Sequence, residues 1–454
     1  MTVQPDIIFV SLAQNQSSFF HAVGEVLQRA GHCIFHICFH EGAVQELREA
    51  GCDVFNPYEY QPTDVDAVCF EDFAIANPAQ LLGHEKAAYE LVDSAALARK
   101  FKSHLAALDA ILVQLEASGR PLCMVQELGG FTSVLAAYYA ARRRRIDNWF
   151  IEPSFFRGRI FFTPNSFAAP PVPTATAEPT AEVTKILNAI VDSRVVVIPA
   201  KDKLHYRGAS KKLLDPKNFC RLAEKLVAKH VRGEQEEFHH IGGHVARHLR
   251  MFFNSRRLFR HYRELPASER FIYYPLHVPA DFALTIRSPE YLDQYTLIDY
   301  LCRIAPLGYR VVIKEHPALV GAVSPARIGD LLARHDNFTL LSPALNNHEV
   351  LAAADAVVTV NSKSGAEALL HGTPVVVLGD AFYRSCAQVR RITALHELQG
   401  ALEQALAPAP AYARVAVLPF FQAVWDASRP GELYDNSAGN VAQFAESLAG
   451  CLEN

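Results

Sequence analysis

The sequence lacks the features that would place it in a membrane or on a nucleic acid. No apolar run approaches the roughly 18–20 residues that span a bilayer, and the first twenty residues lack the basic start, apolar core and cleavage site of a secretory signal. The 44 Lys and Arg residues are outnumbered by 48 Asp and Glu residues, for a net charge of −4. Since binding to phosphate polymers depends on clustered cations, we expect no nucleic-acid partner. We expect a cytoplasmic protein, with the inner face of the membrane as an alternative location.

Paired cysteines and two nucleotide-binding motifs are also missing. The nine cysteines are scattered, none forms a CxxC pair, and most lie in apolar surroundings. This pattern favours buried free thiols over disulfides. No GxGxxG follows a predicted strand, and neither GxxxxGKS nor GxxxxGKT occurs, which disfavours a dinucleotide-binding protein and a P-loop nucleotidase.

The 454 residues suffice for two or three domains, and the chain begins as an α/β domain. Apolar runs alternate with helical patterns, which is typical of parallel sheets. The predicted strands of the first half are 6–12, 33–39, 67–70, 121–127 and 148–152, and a long helical stretch is predicted at 84–118.

A second and more regular α/β series starts near residue 270. It contains five βα units in about 110 residues, so we predict an α/β protein with two Rossmann-like domains of similar size. The predicted parts are an N-terminal α/β domain (1–181), a helical connecting region (182–265), a C-terminal α/β domain (266–400) and C-terminal helices that pack back on the first domain (401–454).

Polar residues collect where the strands of the second half end, which is where ligands bind in open α/β sheets. They follow three of its predicted strands. They are His277 and Asp281 after the first, Lys314, Glu315, His316 and Pro317 after the second, and Asn361, Ser362, Lys363, Ser364, Gly365 and Glu367 after the fourth.

The turn from Asn361 to Gly365 favours a phosphate. Ser362 or Ser364 can cap the following helix, while Gly365 would let a ligand approach the backbone. Free N–H groups and the helix dipole attract anions there. The alternative is an ordinary serine N-cap. His316 could likewise be a cap or a nucleotide contact, and Asp281 could be a base, a nucleophile or a solvated loop residue.

Three segments of the second half together resemble a known family. They are PLHVPADFAL, VVIKEHP and LLSPALNNHEVLAAADAVVTVNSKSGAEALLHGTPVVVLGDAFY. They are similar to the capsule polysaccharide synthesis family, which contains the bacterial retaining β-Kdo glycosyltransferases of capsule and O-antigen assembly. The resemblance covers about residues 270–385 and is thin before them.

The resemblance implies a GT-B-like fold, with a CMP-activated sugar bound between two domains and neither a metal nor a further cofactor. His316 and Pro317 match a motif aimed at the CMP moiety. Ser362, Ser364 and Gly365 match the turn near the phosphate, with Glu367 beside it. Asp281 matches the acidic position proposed as the nucleophile, so that configuration would be retained through a covalent adduct.

The sequence departs from the family pattern at three places. His277 stands where some relatives carry Gln, Phe282-Ala283-Leu284 stands where small residues are commoner, and the first half lacks an EDGF motif. Its nearest candidates are Glu127 and Glu152, each at the end of a predicted strand. Either could be the acid/base partner or an acceptor-hydroxyl ligand, or a carboxylate without a chemical role.

We therefore expect transfer of a CMP-activated ulosonic acid, foremost Kdo, onto a glycan or lipid-linked glycan acceptor. The acceptor would be met through assembly proteins or a local membrane-facing patch. One alternative is a GT-B transferase or epimerase that uses a UDP-sugar. The other is an inactive scaffold of polysaccharide assembly.

Four further patterns are not assigned to the reaction. They are three histidines at helical spacing (His240, His244, His248), an Asp64-Val65-Asp66 sequence that precedes a predicted strand, and the basic runs Arg142–Arg145 and Lys201–Lys217. Gly242 and Gly243 interrupt the histidine helix, which argues against zinc, so we interpret the histidines as a solvated or acceptor-contacting face. The run Arg142–Arg145 suits a helix C-terminus or an anionic membrane surface, and Lys201–Lys217 could also contact an anionic acceptor glycan.

Overall fold

A computed structural model describes residues 4–90, 93–173, 178–194, 227, 231–238, 241–407 and 414–453. Within these residues, thirteen strands form two sheets, one in each half of the molecule. The first sheet contains β1 (Asp6–Ser11), β2 (Ile34–Cys38), β3 (Asp53–Phe55), β4 (Leu122–Glu127), β5 (Asp147–Pro153), β6 (Arg159–Pro164) and β13 (Arg429–Pro430). The second contains β7 (Arg270–Pro275), β8 (Tyr309–Lys314), β9 (Phe338–Leu341), β10 (Ala356–Thr359), β11 (Val375–Val377) and β12 (Val389–Arg391).

The strand orders are those of two open α/β sheets. They are β13-β6-β5-β4-β1-β2-β3 and β12-β11-β10-β7-β8-β9. All pairs are parallel except β5–β6 and β6–β13. The central strands are continuous apolar runs because helices cover both faces of each sheet; every residue of β1 is buried.

Helices connect the strands and cover the sheets. In the first half they are α1 (Gln14–Arg29), α2 (Glu41–Glu49), α3 (Pro78–Leu81), α4 (Gly83–Tyr89), α5 (Ser94–Glu116), α6 (Thr132–Arg143) and α7 (Ala181–Ser193). They continue as α8 (Ile241–Leu258), α9 (Phe282–Thr285), α10 (Gln294–Ile304), α11 (Pro325–Arg334), α12 (Asn347–Ala353), α13 (Lys363–Leu370), α14 (Leu398–Leu406), α15 (Leu418–Ala427) and α16 (Ala438–Leu452).

The end of the chain packs against its beginning. Helix α16 buries Val441, Phe444 and Leu448 in the same apolar cluster as α1. The rings of Phe444 and Phe19 meet edge to face, with centroids 4.9 Å apart. Strand β13 adds an antiparallel edge to the first sheet, so residues more than 400 positions apart build one domain.

Two predictions about the first half are wrong, and one hairpin has no predicted counterpart. Residues 67–70 form a turn and not a strand, since Asp66 and its neighbours are exposed and no described strand pairs with them. The stretch 84–118 is two helices, because Glu90 has a left-handed backbone conformation (φ 55°) and Asp93 caps α5. The antiparallel hairpin β5–β6 was not predicted.

Candidate active site

A cavity of about 1090 Å³ lies between the two domains, at the carboxyl ends of strands from both sheets. Every residue predicted for the site lines it, except Gly365. Parallel strands bring their carboxyl ends to one edge, which is why residues distant in sequence meet here.

Asp281 stands at the start of α9, on the C-terminal domain's side of the cleft. It is exposed, and its Oδ1 accepts a hydrogen bond from the backbone N–H of Ala283 at 3.0 Å. The carboxylate therefore caps α9 while facing the cavity. It also acts electrostatically on two buried histidines, His84 and His277, whose pKa values burial lowers to about 4.

His277 joins the ends of two strands beneath the cavity. Its Nε2 accepts a hydrogen bond from the backbone N–H of Asn361 at 3.2 Å, and its own backbone N–H donates to Gln294. Its Nδ1 is buried without a hydrogen-bond partner among the described residues. His277 thus holds Asn361 in place from beneath the cavity.

The turn before α13 has the expected cap. Ser362 Oγ accepts a hydrogen bond from the N–H of Ser364 at 3.2 Å. Gly365, by contrast, does not have the expected role of letting a ligand approach the backbone. A Cβ there would lie 2.3 Å from the hydroxyl of the buried Tyr383, which donates to the carbonyl of Ser362 at 2.6 Å. The glycine therefore makes room for Tyr383 and not for a ligand.

Polar side chains next to this turn form a set that is partly or fully buried. Asn347 donates to Ser364 Oγ at 3.1 Å and to Glu367 at 3.0 Å. Burial raises the pKa of Glu367 to about 7 and lowers the pKa of Lys314 to about 8. Lys363 spans the cleft and donates to the carbonyl of Ser154 at 3.0 Å.

Two side chains at the end of β8, His316 and Glu315, have different roles. His316 is half-buried and caps the short turn Pro317–Leu319, with Nδ1 3.3 Å from the N–H of Ala318. The carboxylate of Glu315 accepts from the Tyr262 hydroxyl and from Gly321 N–H. Glu315 therefore anchors the protein's own loop, which is a structural role that the sequence did not predict.

The two candidate acids of the first domain have different surroundings. Glu127, at the end of β4, accepts hydrogen bonds from Gln16 Nε2 at 2.9 Å and from the Tyr434 hydroxyl. Glu152, on β5, is held by both terminal nitrogens of Arg287. Both carboxylate oxygens of Glu152 are therefore occupied by the Arg287 guanidinium.

Several residues of the cleft were missed by sequence reasoning. They are His84, whose Nδ1 lies 2.9 Å from Thr285 Oγ1, Arg287 and Asn347, together with Tyr434, which contacts Glu127 from outside the cavity lining. Arg287, a cation six residues after Asp281, and Asn347 both lie in the segment of resemblance. His84 and Tyr434 come from distant parts of the chain.

The patterns set aside have ordinary structural partners where they are described. Asp66 pairs with Arg99 on the surface, and Arg144 pairs with Asp109 and Glu116. His248 lines the cavity. His240, the His244 side chain and Lys201–Lys217 lie outside the described residues.

Two Rossmann-like sheets whose carboxyl edges face one cleft define a GT-B-like fold, as expected. Residues 197–394 match the family described as capsule polysaccharide biosynthesis protein. This match confirms the resemblance drawn from the sequence, over a little under half of the chain.

An individual protein is similar to this chain over a shorter range. Protein FixF of Sinorhizobium fredii is 34% identical over 134 residues, which are 29% of this chain and 32% of that protein. The matched segment thus spans about a third of FixF.

Solved structures give distant likenesses. The β-Kdo 2,7 transferase of Thermosulfurimonas dismutans KpsC is 14% identical, with 81% of this chain and 95% of that chain covered and a TM-score of 0.36. The calicheamicin glycosyltransferase CalG4 is 15% identical, with 100% and 99% covered and a TM-score of 0.30. The fold assignment depends on the two sheets and not on these likenesses.

Among the ranges that the structure describes, no helix is long and apolar enough to cross a membrane.

Proposed function

We propose that this protein is a glycosyltransferase that moves a CMP-activated ulosonic acid, foremost Kdo, onto a glycan acceptor of capsule or O-antigen type. One observation carries the proposal. Asp281, His316 and the Ser362–Ser364 turn follow three different strands and line one interdomain cavity, in the order of the resembling family.

The donor would bind on the C-terminal side of the cleft. The N-terminus of α13 offers N–H groups and a partial positive charge to a phosphate, and Lys363 adds a cation beside it. His316 would contact the CMP moiety. No metal is needed in this scheme, because the helix terminus and the lysine supply the positive charge.

The first chemical step would use Asp281 as nucleophile. Its carboxylate oxygen forms a bond to the anomeric carbon while the bond from that carbon to the phosphate oxygen breaks and CMP leaves. In the second step, an acceptor hydroxyl attacks the same carbon and releases Asp281. Two inversions leave the β configuration unchanged.

The acceptor hydroxyl must lose its proton in the second step. We assign this role to Glu127, which lines the cavity at the end of β4 and contacts Gln16 and Tyr434. Glu152 is less suited, because both of its carboxylate oxygens already accept hydrogen bonds from the Arg287 guanidinium.

The direct test is to incubate the full chain with a panel of CMP- and UDP-sugars and to measure CMP or UDP release and intact mass. We expect CMP-Kdo alone to give CMP and a Kdo adduct on the peptide that contains Asp281. Turnover of a UDP-sugar would favour the transferase or epimerase alternative. No turnover of any donor with any acceptor glycan would favour the scaffold alternative.

The assignment of Asp281 requires a variant that keeps the helix cap. Asparagine caps helices as well as aspartate does, so Asp281→Asn should fold normally and form no adduct. Asp336→Asn, on an exposed loop of the same domain, is the matched control. Turnover of Asp281→Asn at the rate of the control would overturn the nucleophile assignment.

A further inference from the structure

A second cluster of ligand-type side chains lies in the N-terminal domain, outside the cleft. It consists of His21 on α1, His36 on β2 and Cys52 in the loop between α2 and β3. One ligand atom from each residue lies within 4.8 Å of the others. The Cys52 Sγ and His21 Nδ1 are 3.3 Å apart, and none of the three lines the interdomain cavity.

His36 is the unusual member of this cluster. Its side chain faces the core, with a relative exposure of 2%, and its Nδ1 is buried with no hydrogen-bond partner within the described part of the chain. Buried polar atoms without partners are rare in native proteins and call for an explanation.

Helix α1 lies close to the same ring. A Cβ on Gly24 would lie 3.8 Å from His36 Nε2, and Gly24 is one turn after His21. The rings of His21 and His36 meet at a centroid distance of 6.3 Å. The buried imidazole is therefore next to the helix that carries the second imidazole.

The donor set suits a borderline transition metal. Imidazole nitrogens and a thiolate are the ligands that Zn²⁺ prefers. Tetrahedral coordination, with Zn–S about 2.3 Å and Zn–N about 2.0–2.1 Å, places ligand atoms roughly 3.3–3.6 Å apart. The sulfur–nitrogen pair already has this spacing, and the third ligand needs a movement of roughly 1 Å.

The local charge also favours a cation. The carboxylates of Glu25 and Asp53 lie close enough to act electrostatically on the Cys52 thiol. His21 and Cys52 are only partly buried, so an ion can reach the site from solvent.

We propose that His21, His36 and Cys52 bind one Zn²⁺-type divalent ion, with water in the fourth position. The thiol proton passes to solvent when the sulfur binds the metal. The ion would tie α1, β2 and the loop before β3 together. The ion lies outside the cavity proposed for the reaction, although α1 also carries Gln16, which contacts Glu127 in the cleft.

Cobalt titration of the chelator-treated full chain tests this proposal. We expect one Co²⁺ to bind with a sulfur-to-cobalt charge-transfer absorption, and Zn²⁺ to displace it. Cys52→Ser should abolish that absorption, whereas Cys69→Ser, at an exposed thiol, should leave it unchanged. No charge-transfer band in the wild-type chain, or an equal band in Cys52→Ser, would overturn the proposal.

A second variant and a second measurement distinguish loss of the metal site from misfolding. His21 is on the outer part of α1, so His21→Gln should fold and bind Co²⁺ at least about tenfold more weakly. Because a ligand of the folded state raises the unfolding temperature, Zn²⁺ should raise the Tm of the wild type but not that of Cys52→Ser. An equal Tm rise in both would locate the metal at other residues.

Discussion

Arg287 of the C-terminal domain and Glu152 of the N-terminal domain are joined by two hydrogen bonds across the cleft, of 2.6 Å and 3.1 Å. The same guanidinium donates to the carbonyl oxygens of Phe167 and Ala168, in the segment that leaves β6. The arginine side chain is only 7% exposed. This contact fixes the spacing of the two walls of the candidate active site.

The interdomain pair should be strongly coupled. Removing one partner of a buried ion pair costs about 3–5 kcal/mol, whereas replacing both by apolar side chains costs much less. Because Glu152 is partly exposed, we expect Arg287→Met and Glu152→Leu each to lower the free energy of unfolding by an amount near the lower end of this range. The double variant should lose less unfolding free energy than the two single variants lose together, as measured by urea denaturation. Strict additivity would contradict the coupling.

The two carboxylates of the first domain should give different kinetic defects. General-base catalysis contributes about 10²–10⁴-fold, so Glu127→Gln should slow transfer to the acceptor by an amount in that range. Adduct formation with donor alone should continue, so the Asp281 adduct should accumulate in intact-mass spectra. Glu152→Gln serves as the comparison and should mainly reduce stability. The reverse pattern would exchange the two roles.

Stability should depend on pH through Glu367. Burial raises its pKa from 4.5 to about 7, against the hydrogen bond from Asn347 and the charges of Lys363 and Lys314. The folded state therefore favours the protonated carboxyl. The stabilisation of the folded state by protonated Glu367 is fully present below pH 4.5 and is lost as the pH rises to about 7. It amounts to roughly 1.4 kcal/mol for each unit of pKa difference between the folded and unfolded states.

The variant Glu367→Gln isolates this effect. It keeps an acceptor for Asn347 and does not titrate, so its free energy of unfolding should fall less than that of the wild type between pH 4.5 and 7. Glu403→Gln, on an exposed helix face, should follow the wild type. If the free energy of unfolding of Glu367→Gln fell with pH as steeply as that of the wild type, the pH dependence would come from other groups.

Gly365 should tolerate no side chain. Its added Cβ would lie 2.3 Å from the Tyr383 hydroxyl and within 2.8 Å of two ring carbons, and Tyr383 is fully buried. Because overpacking costs about 1–3 kcal/mol or more, Gly365→Ala should lower the unfolding temperature clearly. Gly329→Ala, in α11 with open space around it, should be neutral or stabilising. Equal stability of the two variants would refute the close packing.

Local sequence patterns were sufficient to predict which residues lie at the strand ends of the second half. The apolar run of β8 and the polar residues after it place Lys314 and His316 at the cleft without any knowledge of the other domain. Ser362 is likewise a cap whose role depends on its immediate neighbours. Such features are predictable because the periodicity of one strand and one helix determines them.

Other features depend on contacts between distant segments. Tyr434 reaches Glu127 over 307 positions, and the role of Gly365 depends on where Tyr383 packs. No local pattern encodes either contact. The segment 67–70 shows the converse error, since a short apolar run predicted a strand where the chain forms none. The donor sugar and the chemistry stay predictions from resemblance and cavity geometry.

The packing of α16 on α1 has a consequence for synthesis on the ribosome. Domains usually fold as they emerge, the N-terminal one first. Here the part of α1 that meets α16, including Phe19, is covered only after residues 438–452 have been translated. The N-terminal domain is therefore completed only after the C-terminal domain has been synthesised.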